Sequence, residues 1–239
     1  MLINDYSFMS EEEWNSLVID KSETLKNEEG SKVIYFDMDG VLAKWCSNPE
    51  YPPETITDGV LTSKESHYFR NLEPDENALL FAKMMQDKGY EIRVLTASYY
   101  NAIEDKLAWL VKHMPFIDVS KDVYIVPCNL DTVNKQNFIP KNNKAILIDD
   151  NNKNLEKWNG IKVKYLNGIN SKSGKNDLIL NIYSIRKEFE LYKMALYRDI
   201  SEEIDTILYE KNKSCKIQNG MFIDDKHLSK AKENEGYEK

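Results

Sequence analysis

Asp37 and Asp39 stand two residues apart at the end of Lys32-Val-Ile-Tyr-Phe36, a short run rich in β-branched and aromatic side chains, and Gly40 follows them. An apolar run bounded by a turn residue predicts a buried strand. Two carboxylates so close cannot both ionise cheaply without a cation between them. A divalent metal resolves the conflict, and hard oxygen donors of this kind suit Mg²⁺. The pairing recurs at Asp149-Asp150 behind the run Ala145 to Ile148, and Thr96 ends a third run, Glu91 to Leu95. Asp37, Asp39, Asp149 and Asp150 are therefore the candidate metal ligands. A carboxylate beside Mg²⁺ can attack phosphorus and form an aspartyl phosphate, dividing one hard displacement into two. Asp37, first beyond its strand, is the candidate nucleophile. Asp39 would protonate the leaving oxygen and later deprotonate the attacking water. Thr96, with the backbone N–H groups of Ala97 and Ser98 nearby, would meet the phosphoryl oxygens where charge builds in the transition state.

A lysine is needed to balance phosphate charge. Lys144 adjoins the wrong end of its strand, about four residues at ~3.3 Å each from the acids, and Lys141 is little better. Lys135 follows the third strand by a loop and opens a helical turn, which puts it on the working side. One of Asp149 and Asp150 should bind the metal directly, the other through water or by holding Lys135; spacing does not choose between them.

The elements that must position these groups alternate. Five strands are expected, at residues 32–36, 91–95, 123–126, 145–148 and 161–166. Between them come a helix opened by Pro74 and closed by Gly89, and a helix through Ile103, Leu107, Leu110 and Met114 stopped by Pro115. A short polar segment around Lys135 and a helix with Leu155 and Trp158 complete the series. Alternation of this kind implies βαβ units and a mostly parallel sheet covered on both faces. Ligands of such sheets sit beyond the carboxyl ends of the strands. Each acid pair and Thr96 comes directly after a predicted strand, so parallel strands would gather them on one rim.

Other stretches flank this unit. Ser10-Glu-Glu-Glu13 fits a capping box, and Trp14, Leu17, Val18 and Leu25 share a face of an amphipathic helix within residues 1–30, ended by Gly30. Residues 43–67, marked by Pro49, Pro52, Pro53 and Gly59, are too long for an ordinary connection and read as a lid or small cap at about 44–68. From Asp177 to about residue 210 the pattern reads as helical, through Leu178, Ile182, Ile185, Phe189, Ile204, Ile207 and Leu208. Residues 211–239 form a polar tail.

Composition narrows the function. Lys and Arg number 32 against 40 Asp and Glu, a net charge of −8, which argues against a nucleic-acid surface but leaves room for a small phosphorylated substrate. Three scattered cysteines without a CxxC pair read as reduced thiols, and three histidines lack metal-ligand spacing. No signal segment or apolar run of spanning length is present, so a soluble, cytoplasmic protein is expected.

Phe36-Asp-Met-Asp-Gly-Val-Leu-Ala43, Thr96, a later lysine and Ile146-Leu-Ile-Asp-Asp150 resemble the four signature motifs of the haloacid dehalogenase-like (HAD) phosphohydrolases. Together with Tyr68-Phe-Arg-Asn-Leu-Glu-Pro74, they resemble more narrowly the 5′(3′)-deoxyribonucleotidases, over about residues 32–170. The resemblance implies a HAD-like Rossmannoid α/β fold in three layers, with a central parallel sheet, a small cap inserted after the first motif, and here a helical C-terminal extension. It implies Mg²⁺-dependent hydrolysis of deoxynucleoside 5′-monophosphates and often a homodimer. By the same likeness Trp45 and Phe69 enclose the base, Lys135 binds substrate, and Asp150 is favoured as the direct metal ligand. Stacking of aromatic faces on bases agrees with that reading.

The chain departs from the pattern at Thr96-Ala97-Ser98, where the family commonly has Thr-Ser-Pro, and its lysine lies farther upstream of the acid pair than usual. Gly168 to Lys175 mimics a phosphate-binding loop with the wrong spacing, and Phe222-Ile-Asp-Asp225 echoes the fourth motif without a strand's apolar run; neither is assigned a role. Two competing functions remain to be discriminated. One is a phosphatase for another small phosphomonoester or a nucleic-acid end; the other is a non-catalytic binding module on the same fold.

Overall fold

The computed structural model describes residues 9–16, 32–128, 135–140, 144–170, 174–180, 200–208 and 221–222. Strand β1, Val33–Phe36, is buried along its whole length. Ile34 and Phe36 face one core cluster and Val33 and Tyr35 the other, as side chains alternate across a strand covered on both sides. The further strands are β2 (Glu91–Ser98), β3 (Val123–Pro127), β4 (Ile146–Asp149), β5 (Ile161–Tyr165), β6 (Leu178–Leu180) and β7 (Met221–Phe222). They form one sheet in the order β3-β2-β1-β4-β5-β6-β7, with every pairing parallel.

The helices are α1 (Glu11–Asn15), α2 (Asp58–Thr62), α3 (Glu76–Asp87), α4 (Ile103–His113), α5 (Val119–Asp122) and α6 (Asn152–Glu156). One face of the sheet is covered by Ala78 and Phe81 of α3, Ile103 and Leu110 of α4, and Ile200, Ile204 and Ile207 of a helical stretch at 200–208. The other is covered by Leu155 of α6 with Phe138 and Trp158. Three layers result, and the fold is the expected α/β HAD-like one. β1 lies at the centre with β2 and β4 as its neighbours, so the three strand ends that carry the candidate groups are adjacent.

Local differences have identifiable causes. Asp75, rather than Pro74, caps α3: its carboxylate accepts from the backbone N–H groups of Asn77 and Ala78, and a side-chain acceptor outcompetes a ring that only presets φ. Leu178–Leu180, where the helical reading of the C-terminal segment began, is instead strand β6. Three consecutive apolar residues carry no period, and burial on the sheet edge decides between the alternatives. Met221–Phe222 pairs in parallel with β6, although the sequence reading placed it in a polar tail with no strand. The capping box at Ser10 and Glu13 is formed, and Trp14 is fully buried. Leu17, Val18, Leu25 and Gly30 lie outside the described residues, as do Ile182, Ile185, Phe189 and most of the tail.

The segment between β1 and α3 contains a 3₁₀ turn at Pro53–Thr55, helix α2 and a second 3₁₀ turn at Phe69–Asn71. Its base is closed by side chains. Buried Asn48 donates to the Tyr68 carbonyl at 2.9 Å, and Ser47 Oγ accepts from Glu73 N at 2.8 Å.

Candidate active site

Asp37 follows β1 directly, and its backbone N–H donates to the Ile148 carbonyl at 2.9 Å, which extends the pairing of β1 with β4 to the rim. Asp149 is the last residue of β4 and Asp150 the next. The register thus brings acids from distant parts of the chain together. Oxygens of Asp37, Asp149 and Asp150 lie within 4.8 Å of one another. Lys135 Nζ sits between two of them, 2.9 Å from Asp37 Oδ1 and 2.9 Å from Asp149 Oδ2. It reaches them from a 3₁₀ turn at Lys135–Phe138, on the side that its position after β3 predicted.

Asp37 and Asp149 are buried and Asp150 half-buried, with Lys135 between the first two, and the surplus of negative charge shows in the protonation of Asp37 and Asp150. Burial pushes Asp37 well above the usual carboxylate range; Lys135 pulls it back, while Asp149, Asp39 and Asp150 add to the rise. Burial likewise raises Asp150 to about 7, reinforced by Asp149 and opposed by Lys135 and Lys164. Burial works against the charge on Lys135, yet Asp149 and Asp37 outweigh it and hold the amine above its ordinary value. A cluster of hard oxygen donors with surplus negative charge is what a divalent cation such as Mg²⁺ neutralises, so the donor set fits that ion.

Asp149 and Asp150 have different surroundings. Both oxygens of Asp149 carry bonds: Oδ1 accepts from Asn151 N at 2.7 Å, and Oδ2 from Lys135 and, at 3.0 Å, from Asn154 Nδ2. Asp150 Oδ2 accepts from Asn167 Nδ2 at 2.8 Å, and its backbone carbonyl accepts from Lys164 Nζ and Asn170 Nδ2. Asn167, just ahead of the loop that mimics a phosphate-binding motif, and Asn170 within it therefore orient Asp150.

Gly40 is packed into the same corner. It has φ +79°, and a Cβ there would lie 2.5 Å from Asp150 Oδ2 and 2.9 Å from Asn167 Nδ2. Gly40→Ala is expected to cost about 1–3 kcal/mol through backbone strain, and more if Asp150 cannot give way. Thermal unfolding checks this; an unchanged midpoint would mean that the corner is looser than it looks.

Asp39 stands apart from the three clustered carboxylates. Its carboxylate is outside the cluster of Asp37, Asp149 and Asp150, because Oδ2 is held by Lys106 Nζ at 2.5 Å. Its Oδ1 is buried with no hydrogen-bond partner among the described residues. Lys106 was not singled out from the sequence. Almost fully buried on α4, it also donates to Thr96 Oγ1 at 3.1 Å and to the Ala97 carbonyl at 2.5 Å, and lies 4.7 Å from the centre of the Phe69 ring. One signal was available: Lys106 falls three residues after Ile103 and four before Leu110, inside the apolar stripe of its helix, where a lysine needs a buried partner.

Thr96 is fully buried and faces this lysine. Ala97 lies half-buried beside it. Ser98 is not brought to the site as a hydroxyl: it is buried, and its Oγ donates to the Tyr99 carbonyl at 2.8 Å. Trp45 and Phe69 share an aromatic group, their ring centres 6.5 Å apart, with Tyr68 edge-on to both. Phe69 is almost wholly buried with the Lys106 ammonium at its ring, whereas half-buried Trp45 lines a small cavity with Gly40, Lys44, Asn167 and Ile169.

The family model for 5′ nucleotidase, deoxy (pyrimidine), cytosolic type C protein matches residues 54–183, more than half of the chain. The chain belongs to this family. The match to the cytosolic type C 5′-nucleotidase family takes in Thr96, Lys106, Lys135, Asp149 and Asp150, while Asp37 and Asp39 lie ahead of it. A 5′(3′)-deoxyribonucleotidase of Bacillus subtilis is 29% identical over 157 residues, 56% of this chain and 84% of that protein, and the one from Bacillus phage SPbeta matches equally. A 5′(3′)-deoxyribonucleotidase of Clostridium acetobutylicum is 32% identical over 107 residues, 43% of this chain and 50% of that protein. Among solved structures, a D,D-heptose 1.7-bisphosphate phosphatase from B. bronchiseptica aligns with TM-score 0.40 and 12% identity, over 72% of this chain and 99% of that one. The family places the chain in the HAD superfamily, in agreement with its motifs and its sheet.

Proposed function

We propose that the protein is a Mg²⁺-dependent phosphatase that hydrolyses deoxynucleoside 5′-monophosphates through an aspartyl phosphate on Asp37. The observation that carries this reading is Lys135 bridging Asp37 and Asp149 inside a cluster of three carboxylates. Family membership and relatives named 5′(3′)-deoxyribonucleotidase support the substrate class.

Asp37 receives both of its bonds among the described residues on Oδ1, from Met38 N at 2.8 Å and from Lys135. Its Oδ2 is the oxygen assigned to attack phosphorus. Asp39 presents the unpartnered Oδ1 to the leaving ester oxygen, gives it a proton, and then takes one from water as the aspartyl phosphate is hydrolysed. Lys106 holds the opposite oxygen of Asp39 and the Thr96 hydroxyl, so it fixes the acid–base group relative to the phosphoryl pocket. Lys135 balances charge on Asp37 and the phosphoryl oxygens. Asp37, Asp149 and Asp150 would hold the metal; Asp150, with its less encumbered carboxylate, is assigned as a direct ligand, and Asp39 is assigned to acid–base work alone. Bound Mg²⁺ would supply positive charge against the phosphoryl oxygens. Trp45 and Phe69 are assigned to the base side of the substrate, with Trp45 the more accessible of the two.

No helix among the described residues is long and apolar enough to cross a membrane, and a cytoplasmic location is part of the same proposal. The test is phosphate release across deoxynucleoside 5′- and 3′-monophosphates, ribonucleotides, sugar phosphates and end-phosphorylated oligonucleotides. Deoxynucleotides are expected to lead by about tenfold or more in kcat/KM, since enclosing a base adds binding that a sugar phosphate lacks. A preference for sugar phosphates or oligonucleotide ends would sink the nucleotidase assignment and leave the phosphatase.

A further inference from the structure

The end of β2 is held by a segment that the proposed chemistry does not use. Trp14, on the five-residue helix α1, donates its indole N–H to the Ser98 carbonyl at 3.1 Å across 84 residues of sequence. The same carbonyl accepts from Cys128 N at 3.0 Å, so both of its lone-pair directions are used. Two residues further on, Tyr100 donates its hydroxyl to the Met9 carbonyl at 2.7 Å. Residues 9–16 thus strap the connection between Thr96, on β2, and Lys106, on α4. Those are the two side chains that meet over Asp39.

A helix of one turn has no stability of its own. Its acidic first turn is exposed, whereas Trp14 is fully buried in the main core. The place of α1 is therefore set by what Trp14 touches.

We propose that Trp14 is a positioning residue for the phosphoryl pocket: by holding the Ser98 carbonyl it sets the Thr96–Ala97–Ser98 backbone against Lys106 and Asp39. The inference rests on the phosphatase reading above. It also divides the site into two supports. Asp37, Asp149 and Asp150 are placed by the pairing of β1 with β4, which the strap does not touch, while the Thr96 side is held by its pairing with β3 on one hand and by the strap on the other. Loss of the indole donor should therefore weaken phosphoryl binding and leave metal binding alone. Misplacement of such groups by about 1 Å can cost up to about 100-fold in rate.

The experiment uses the full chain with Trp14→Phe, which keeps an aromatic ring in the core and removes the donor, and Trp14→Ala, which removes both. Steady-state kinetics on a deoxynucleoside monophosphate, inhibition by orthovanadate, the half-saturating Mg²⁺ concentration and the thermal midpoint are read for each. Trp14→Phe is expected to raise the vanadate inhibition constant and lower kcat/KM by about tenfold, with the Mg²⁺ requirement within about twofold of wild type. A purely structural role gives a different pattern, since a smaller folded fraction lowers kcat and leaves KM and the vanadate constant unchanged. That pattern, or full activity in Trp14→Phe, overturns the inference even if Trp14→Ala fails to fold. A wild-type protein that neither turns over phosphomonoesters nor binds vanadate defeats the phosphatase reading itself; an active wild type with an indifferent Trp14→Phe defeats only the positioning role.

Discussion

Asp37→Asn is expected to yield a folded protein whose turnover falls by about 1,000-fold or more, the scale on which loss of an enzymatic nucleophile acts. The amide keeps the size of the carboxylate and an oxygen for Met38 N, but it cannot form the aspartyl phosphate. The fold should not suffer. Ionised Asp37 is disfavoured by burial and by Asp149, Asp39 and Asp150, so neutralising it relieves repulsion, while Lys135 keeps its partner in Asp149. The metal-free variant should therefore unfold at the same temperature as wild type or higher. Turnover near the wild-type rate in a verified Asp37→Asn preparation would remove Asp37 from the nucleophilic role.

Chelating the metal is the second large effect, and pH decides how it appears. Asp37 and Asp150 are raised above the range they have in an unfolded chain, near pH 4. A raised carboxyl group contributes stability that is fully present below the unfolded pKa and is lost as pH rises through the folded one. For Asp150 that window runs from about 4 to about 7, and Asp37 loses its share on the same rising side. Metal-free protein should thus surrender this contribution between mildly acidic and neutral pH. Mg²⁺ binds the ionised cluster, so its stabilising shift should be small near pH 5 and large near pH 8. Thermal unfolding with chelator and with Mg²⁺ across that range measures the difference, and turnover should vanish with chelator. A Mg²⁺ shift that does not grow with pH would mean that the ion binds elsewhere.

Lys106 and Lys135 show two ways in which a buried lysine enters a site. Lys135 is legible in the sequence because a phosphate needs a cation and, unlike Lys141 and Lys144, it follows the third strand on the working side. Lys106 is hidden in the sequence because a helix with Ile103, Leu107 and Leu110 on one face reads as packing, and nothing local names the partner of a lysine within that stripe. Its side chain runs through the core to the rim, where it turns Asp39 away from the acid cluster. The four-acid ligand set expected from spacing thus separates into a cluster of three and one acid paired to a lysine.

The sequence by itself determined the alternation of strands and helices, the parallel sheet, and the rim on which Asp37, Thr96 and Asp149–Asp150 meet. These follow from periodicity and from where polar residues end apolar runs, both of which are local properties. Only the tertiary structure decided that Asp39 Oδ1 is left without a partner among the described residues, that Leu178–Leu180 adds a strand, and that Trp14 reaches Ser98 from 84 residues away. Those outcomes depend on which groups the packed chain brings within hydrogen-bonding distance. A spacing rule describes neighbours along the chain, and the contacts that tune this site are made across it.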